Sequence, residues 1–448
     1  MSASGARRAS RRANTSLPSG VSSGASSGID PASYTPEFTW RGNDLYCEGV
    51  RLEEIAARAG TPAYVYSSAS ITGAYGRLDR ALGRQAHTIC YAVKANSNLS
   101  ILRLLARLGS GFDIVSIGEL FRLQRAGADA QSIVFSGVGK TREEIREALR
   151  ARIGLFNVES AAELEVLASE ASRAATRVPA AIRVNPDVEA GGHPHISTGR
   201  RSHKFGIDWG NALPLYLRYR DFRWIEWRGI SAHIGSQILS LTPFRQALTR
   251  LAHHFRVLAE SGINLRYLDF GGGLGVRYSD EKPVPVGDYA KTINSILRPL
   301  RCHLLLEPGR SIIGPAGVLL MRALYTKENR GRSFVIVDAA MNDFIRPALY
   351  DAAHPITAAK RSAEAKRGKI RVDVVGPVCE SGDFFALDRP LGRVSAGDLL
   401  VLWGAGAYGF VQTSNYNSRA RPAEVLVEGS RFRLIRKRES LSDLVRGE

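Results

Sequence analysis

The sequence predicts an α/β fold: a (β/α)8 TIM-type barrel followed by a C-terminal, mainly antiparallel β domain. Three observations carry that reading. Eight short β-prone runs alternate with amphipathic stretches of helical period between about residues 85 and 310. Polar residues and glycines collect at the ends of those runs, which in such a barrel is the edge where chemistry sits. After Arg310 the alternation stops, and β-prone runs are punctuated by Gly, Pro, Asp and Asn turns.

Each element follows from its own residues. Residues 1–35 hold "ARRASRRANTS" and "SGVSSGASSG", which cannot bury enough surface to fold, so a disordered tail is expected. The same acid-poor, Arg/Ser-rich composition also suits an organelle transit peptide. Residues 36–62, with "LYCEGVRLEEIA", are expected to pack with the β domain. The barrel is assigned to residues 63–310. Its strand runs are "TICYAVKAN", "GFDIVS", "SIVFSG", "GLFNVES", "AAIRVNP", "RGISAHIG", "YLDFGGG" and "HLLLEPG". Helices are expected at 98–109, 117–127, 141–151, 160–172 and 242–261, with Gly127 closing one and Thr141 and Glu144 forming a capping box on another. The β domain spans 311–448, built from "SFVIVDAA", "IRVDVVGPVC", "DLLVLW", "AEVLVEG" and "RFRLIR".

Composition limits the function classes. A chain of 448 residues exceeds one ordinary domain, and 44% hydrophobic with 23% charged residues suits a globular protein. No apolar run reaches the roughly 18 residues of a membrane span. Cys47, Cys90, Cys302 and Cys379 form no CxxC pair, which argues against a disulfide framework or metal site and for the cytoplasm. The net charge of +18 comes without a nucleic-acid motif, so nucleic acid is not the expected partner; an anionic small substrate or cofactor, or simply a basic arginine-rich proteome, explains the charge as well.

The strand ends hold Lys94, Asp113, Ser116, Asn185, His233, Ser236, Gly271–Gly273 and Glu307. Desolvation and neighbouring cations would depress the Lys94 amine and make it able to form a Schiff base; an anion-binding lysine is the alternative. "DFGGGLG" lacks the GxGxxG spacing of a dinucleotide site, and its bare amides suit a phosphate at the seventh strand. In "EPGR", Glu307 could bond a pyridine nitrogen, or pair with Arg310. In "AHIGSQ", His233 offers a flat ring and Ser236 a donor, although a lone histidine is more often structural. Lysine, phosphate turn, carboxylate and flat ring together describe a pyridoxal 5'-phosphate site.

From about residue 38 onward the sequence closely resembles the diaminopimelate decarboxylases, pyridoxal-phosphate enzymes of the alanine-racemase-like group. The matching segments include "GTPAYVYS", "YAVKAN", "GFDIVSIGEL", "HISTG", "HKFGI", "HIGSQ", "GGGLG", "EPGR", "DAAMNDFIRPALYDAAHP", "GPVCESGD" and "GAGAYGF". One departure is Ile117, where the family usually has a glycine. The resemblance implies that Lys94 carries the cofactor, His233 stacks on its ring and Glu307 meets its nitrogen. Ser236, Gly271, Gly272, Gly273, Gly309 and Arg310 (with Pro308 between them and Glu307) and Tyr408 would hold the phosphate. Cys379 matches the family's general acid; an ordinary thiol is mostly protonated at neutral pH. Arg310, Arg346 and Tyr350, with Tyr408 alongside, match residues that bind the substrate's far carboxylate, and Glu380 its ammonium. In this family the Cys–Glu loop reaches into a partner's site, which implies a homodimer.

The expected reaction is decarboxylation of meso-2,6-diaminopimelate to L-lysine, the last step of lysine biosynthesis. A decarboxylase of D-ornithine, D-lysine, arginine or carboxynorspermidine is the same-fold alternative. A non-catalytic pyridoxal-phosphate-binding protein would be a single barrel, which the second domain argues against. RNA binding through the basic tail is the remaining alternative.

Overall fold

The computed structural model describes residues 30–189, 204–361 and 368–448. Eight parallel strands close into a barrel: His87–Ala92, Gly111–Ile114, Ile133–Phe135, Leu155–Val158, Val178–Arg183, Ile225–Ser231, Tyr267–Asp269 and His303–Leu306. These are the eight runs the sequence marks. Side chains alternate across each strand. One set, including Ile89, Tyr91, Phe112, Phe135, Phe156 and Leu304, packs in the main core with residues of the surrounding helices. The other set faces inward, where Cys90, Val134, Leu155, Ala181 and Leu305 pack on one another.

The helices start and stop where local chemistry dictates. Ile117–Ala126 begins on Ser116, whose hydroxyl accepts from the Glu119 amide, and ends on Gly127 in the left-handed region. Arg142–Ala151 starts with the Thr141–Glu144 capping box, which satisfies two otherwise free amides. Ser68–Leu82, Trp209–Arg218 and Val286–Leu297 are helices the sequence reading did not mark.

The second domain is mainly antiparallel, as expected, but its boundary differs. Ala63–Ser67 was assigned to the barrel but pairs with Gly317–Asn329 and Ala423–Glu428, so the chain enters the barrel only after Ser67. All five of its residues are buried, which a central strand requires. Two pairs in it are parallel: Ala63–Ser67 with Ala423–Glu428, and Arg332–Val337 with Lys369–Val375. Phe38–Arg41, Asp44–Cys47 and Val50–Arg51 form a small antiparallel sheet. Its Phe38 and Leu45 share a core with Val65, Val318, Leu320, Trp403 and Val425 of the second domain.

The two units meet at the turn that carries Lys94. The Tyr408 amide donates to the Ala95 carbonyl at 2.9 Å, and Asn96 Nδ2 donates to the Gly406 carbonyl at 3.3 Å. Buried Glu424 accepts from Tyr66 and Asn98, each at 2.8 Å. No described helix is long and apolar enough to cross a membrane.

Candidate active site

Strand parity assembles the site. On the first barrel strand Cys90 faces inward; the strand ends at Ala92, and the short helical turn Val93–Ala95 sets Lys94 at the mouth. Strand parity brings in Asp113, Ser136, Asn157, Arg183, Ser231, Asp269 and Glu307, whose flanking residues, Gly137 and Pro308 apart, belong to the outer core.

Lys94 Nζ contacts Asp113, which is fully buried. Burial works against the ammonium, but the Asp113 and Glu307 carboxylates outweigh it and hold the amine above the ordinary lysine value. The expectation of a depressed lysine is therefore corrected: its nearest charged neighbours are carboxylates, not cations. Asp113 Oδ1 is buried with no hydrogen-bond partner. Glu307 does not pair with Arg310. Its Oε1 accepts from Ser136 at 3.3 Å and Asn157 Nδ2 at 3.5 Å. Burial, then Asp113 and Asp269, pushes the Glu307 carboxyl well above the usual range, while the Lys94 ammonium opposes the shift.

His233 lies beneath the glycine turn. Its Nδ1 accepts from the Gly272 amide at 3.0 Å, which leaves the ring proton on Nε2. Burial, with Arg183 and Lys94 adding to it, holds its pKa well below that of ordinary histidine, so the ring is neutral. Gly271 and Gly273 have φ of +64° and +105°, in the left-handed region. A Cβ at Gly271 would lie 2.6 Å from His233 Nδ1, and one at Gly272 2.3 Å from the Glu307 carbonyl oxygen. One at Gly273 would lie 2.6 Å from the Gly235 carbonyl oxygen. The turn leaves no room for side chains and lines the mouth with backbone.

Two arginines lie side by side next to this turn. Buried Arg310 donates Nε and Nη2 to Ser236 Oγ at 3.2 and 3.1 Å, and Nη1 to the Tyr278 hydroxyl at 2.7 Å. Its guanidinium covers the Tyr408 ring at 4.9 Å. Buried Arg346 donates Nε to His354 Nε2 at 3.2 Å, and His354 Nδ1 donates to the Trp403 carbonyl at 2.8 Å. Both guanidinium carbons lie within 6 Å of the Tyr278 ring centre, at 5.8 and 5.6 Å. Neither arginine has a carboxylate partner among the described residues. Tyr350 lies under Arg346 at 5.7 Å and accepts from Gln412 at 3.2 Å. Pro308 and Gly309 bring the last strand back to the first: the Ala92 amide donates to the Pro308 carbonyl at 3.1 Å. A Cβ at Gly309 would meet Ala95 Cβ at 2.9 Å.

Cys379 and Glu380 stand apart. Both are exposed. The Cys379 amide donates to Asn417 Oδ1 at 3.2 Å, and the Tyr416 hydroxyl donates to Glu380 at 2.8 Å. Asp383 shapes their loop by accepting from the Val378 and Met341 amides at 2.7 and 2.6 Å. Ser116 is a helix cap, and Asn185 Oδ1 accepts from the Asp187 amide at 2.9 Å. Ile117 is half-buried, and its amide donates to Glu144 at 3.0 Å. The "HISTG" motif and His203 lie outside the described residues.

The sequence reading missed Asp269, Asn157, Ser136, Tyr278 and His354 as site residues. Asp269 accepts from Asn157 at 2.7 Å, Ser231 at 3.2 Å and the Gly271 amide at 3.0 Å. Inward parity would have found the first three; Tyr278 and His354 lie on loops and carry no such periodic signal.

Comparison with known proteins agrees with this geometry. Residues 68–314 match the family model for the pyridoxal binding domain of pyridoxal-dependent decarboxylases. A diaminopimelate decarboxylase of Pseudomonas aeruginosa is 51% identical over 411 residues, covering 92% of this chain and 98% of that protein. The crystal structure of Helicobacter pylori diaminopimelate decarboxylase complexed with L-lysine superimposes with a TM-score of 0.85 at 43% identity, covering 88% of this chain and 98% of that one. The M. jannaschii diaminopimelate decarboxylase gives 0.88 at 36% identity, over 92% and 98% of the two chains. With this coverage, and with the lysine, glycine turn and carboxyl of a pyridoxal site at one barrel mouth, the chain belongs to the pyridoxal-dependent decarboxylases and, within them, to the diaminopimelate decarboxylase family.

Proposed function

We propose that the protein decarboxylates meso-2,6-diaminopimelate at one of its two amino-acid ends, giving L-lysine and CO2. The observation that carries this choice of substrate is the buried pair Arg310 and Arg346, two permanent cations without a carboxylate partner among the described residues. Arginine forks suit a substrate carboxylate that is bound rather than lost. The enzyme is a pyridoxal-phosphate-dependent decarboxylase, and the residues present fit that group. The buried Asp113 Oδ1 has no partner beside Lys94, and the turn at Gly271–Gly273 is a cradle that any Cβ would fill.

In this reading Lys94 anchors the cofactor, and Gly271–Gly273, Ser236, Gly309, Arg310 and Tyr408 hold its phosphate. His233 covers one face of its ring, and Glu307 meets its nitrogen. When bound, pyridoxal phosphate supplies a cationic ring that accepts the electron pair left when CO2 departs. The chain's own residues do the rest. Arg310 and Arg346 hold the far carboxylate, with Tyr350 and Tyr408 beside them, and Glu380 pairs with the far ammonium. Neutral His233 adds no positive charge near the ring. The carbon that loses CO2 needs one proton, and Cys379 Sγ supplies it. Because Cys379 and Glu380 are exposed, we assign them to the active site of a second copy in a homodimer. Four free cysteines, three of them buried, suit a reducing cytoplasm.

CO2 release by the holoenzyme from a panel of amino acids tests the substrate. Losing one buried, charge-assisted contact costs about 1.5–3 kcal/mol, so D-lysine and D-ornithine should be at least about tenfold poorer than meso-diaminopimelate. Faster release from either would overturn the assignment.

A further inference from the structure

A second cavity, of about 270 Å3, opens between the N-terminal segment and the β domain. Ser279 and Pro355 line it, and they are the chain neighbours of Tyr278 and His354, which hold the two buried arginines. Its wall is aromatic and apolar at Tyr34, Trp40 and Ile356. Four cationic side chains (Lys360, Arg361, Lys369 and Arg393) line it together with Arg389, which is engaged elsewhere, and among the described lining residues the one carboxylate is that of Asp30. That carboxylate is already engaged. Its Oδ2 accepts from Arg361 Nη2 and from Trp40 Nε1, each at 2.8 Å. The Arg361 guanidinium lies 4.2 Å from the centre of the Trp40 ring. Lys360, Lys369 and Arg393 form no ion pair among the described residues.

Converging like charges around a concave, partly apolar wall repel one another, and an anion there relieves that repulsion. We propose that this cavity binds a small anion with an aromatic or apolar body, and that its occupation tunes substrate affinity through Arg310 and Arg346. The second half rests on the assignment of those arginines to the substrate carboxylate. Two short contact routes join the sites. Tyr34 donates to the Tyr278 carbonyl at 3.2 Å, and Tyr278 accepts from Arg310. Trp403 donates its amide to the Pro355 carbonyl and its indole to Thr357, each at 2.9 Å, while its own carbonyl fixes His354 under Arg346. An occupant that shifts Pro355–Thr357 or Tyr34 therefore moves the groups that aim both guanidiniums.

Isothermal titration of the holoenzyme with phenyl phosphate tests the site, with inorganic phosphate and phenol as controls lacking the ring or the charge. Phenyl phosphate should bind more tightly than either control. The triple variant Lys360→Ala, Lys369→Ala, Arg393→Ala should bind it at least about tenfold more weakly, the effect of one charge-assisted contact, with unchanged basal kcat and KM. Trp40→Leu should also weaken binding while leaving inorganic phosphate unaffected. Saturating phenyl phosphate should shift the KM for diaminopimelate in the wild type and not in the triple variant. No binding, or equal binding by wild type and triple variant, overturns the site; the latter is also what competition at the substrate arginines would give. Binding lost in the variant, with an unmoved wild-type KM, overturns the coupling. Titration needs no turnover, so failure of the assigned substrate leaves the binding result standing.

Discussion

The barrel mouth and the loop of Cys379 and Glu380 are built on opposite terms. At the mouth, Lys94, Asp113, His233, Glu307, Arg310 and Arg346 are held by neighbours within the same chain, most of them buried. In the loop, Asp383 fixes the backbone while the thiol and the Glu380 carboxylate stay exposed. Desolvation sets protonation at the mouth: it drives Glu307 up and His233 down. The loop has no such shell, and a proton donor without one lacks the water-excluded surroundings that make transfer efficient. The contrast fits the proposed assignment, in which one chain provides cofactor and carboxylate binding and a second copy buries the acid.

Substitutions can break this contrast, beginning with the largest effect. Lys94→Ala should lower CO2 release by roughly 10³-fold or more and remove the visible absorption of lysine-bound cofactor. An unchanged spectrum would show that Lys94 is not the anchor. Cys379→Ala should leave that absorption intact and lower turnover by about 10²–10⁴-fold, the range for a positioned general acid. Near-normal turnover would remove the loop from the chemistry. Arg346→Lys keeps the charge but loses the fork, so the KM for diaminopimelate should rise about tenfold or more with little change in cofactor binding. A KM within twofold of wild type would leave the far carboxylate without its assigned partner.

The smallest effect concerns stability. Burial raises the Glu119 carboxyl from 4.5 to about 7, while the Val115 amide and Lys94 oppose the shift. Because the folded state holds this proton more tightly, the group's stabilising contribution is full below about pH 4.5 and is lost as pH rises through about 7. Glu119→Gln should therefore flatten the fall in stability between pH 5 and 8, by roughly 1–3 kcal/mol at the upper end. Urea midpoints at the two pH values read it, and parallel losses in wild type and variant would contradict the assignment.

Much of this was legible in the sequence, and the failures have physical causes. The eight barrel strands were visible because each is a short apolar run ending in Gly, Asn, Ser or a charged residue. Gly317–Asn329 was missed, although it is a long central strand, because "GVLLMRALYTKEN" carries neither alternation nor a turn signal inside it. Ala63–Ser67 was assigned to the wrong unit because its partners, Gly317–Leu320 and Ala423–Val427, are more than 250 residues away in the chain. Lys94 was recognisable as a strand-end lysine, but its electrostatics were not. Asp113 is 19 residues further on, and the parallel pairing of the two neighbouring strands, with Ala92 opposite Asp113, brings the two together. Tyr278 and His354 escaped notice because they act on arginines rather than on substrate, from loops without periodicity.

The contrast between mouth and loop is tested most directly by mixing subunits. Lys94→Ala and Cys379→Ala variants, each inactive as a homodimer, are denatured together, refolded with cofactor and assayed for CO2 release from meso-diaminopimelate. If the loop serves the partner's site, each mixed dimer holds one complete site, and random pairing returns about a quarter of wild-type activity. If each chain completes its own site, every site in the mixture lacks one of the two residues, and activity stays at the level of the separate variants.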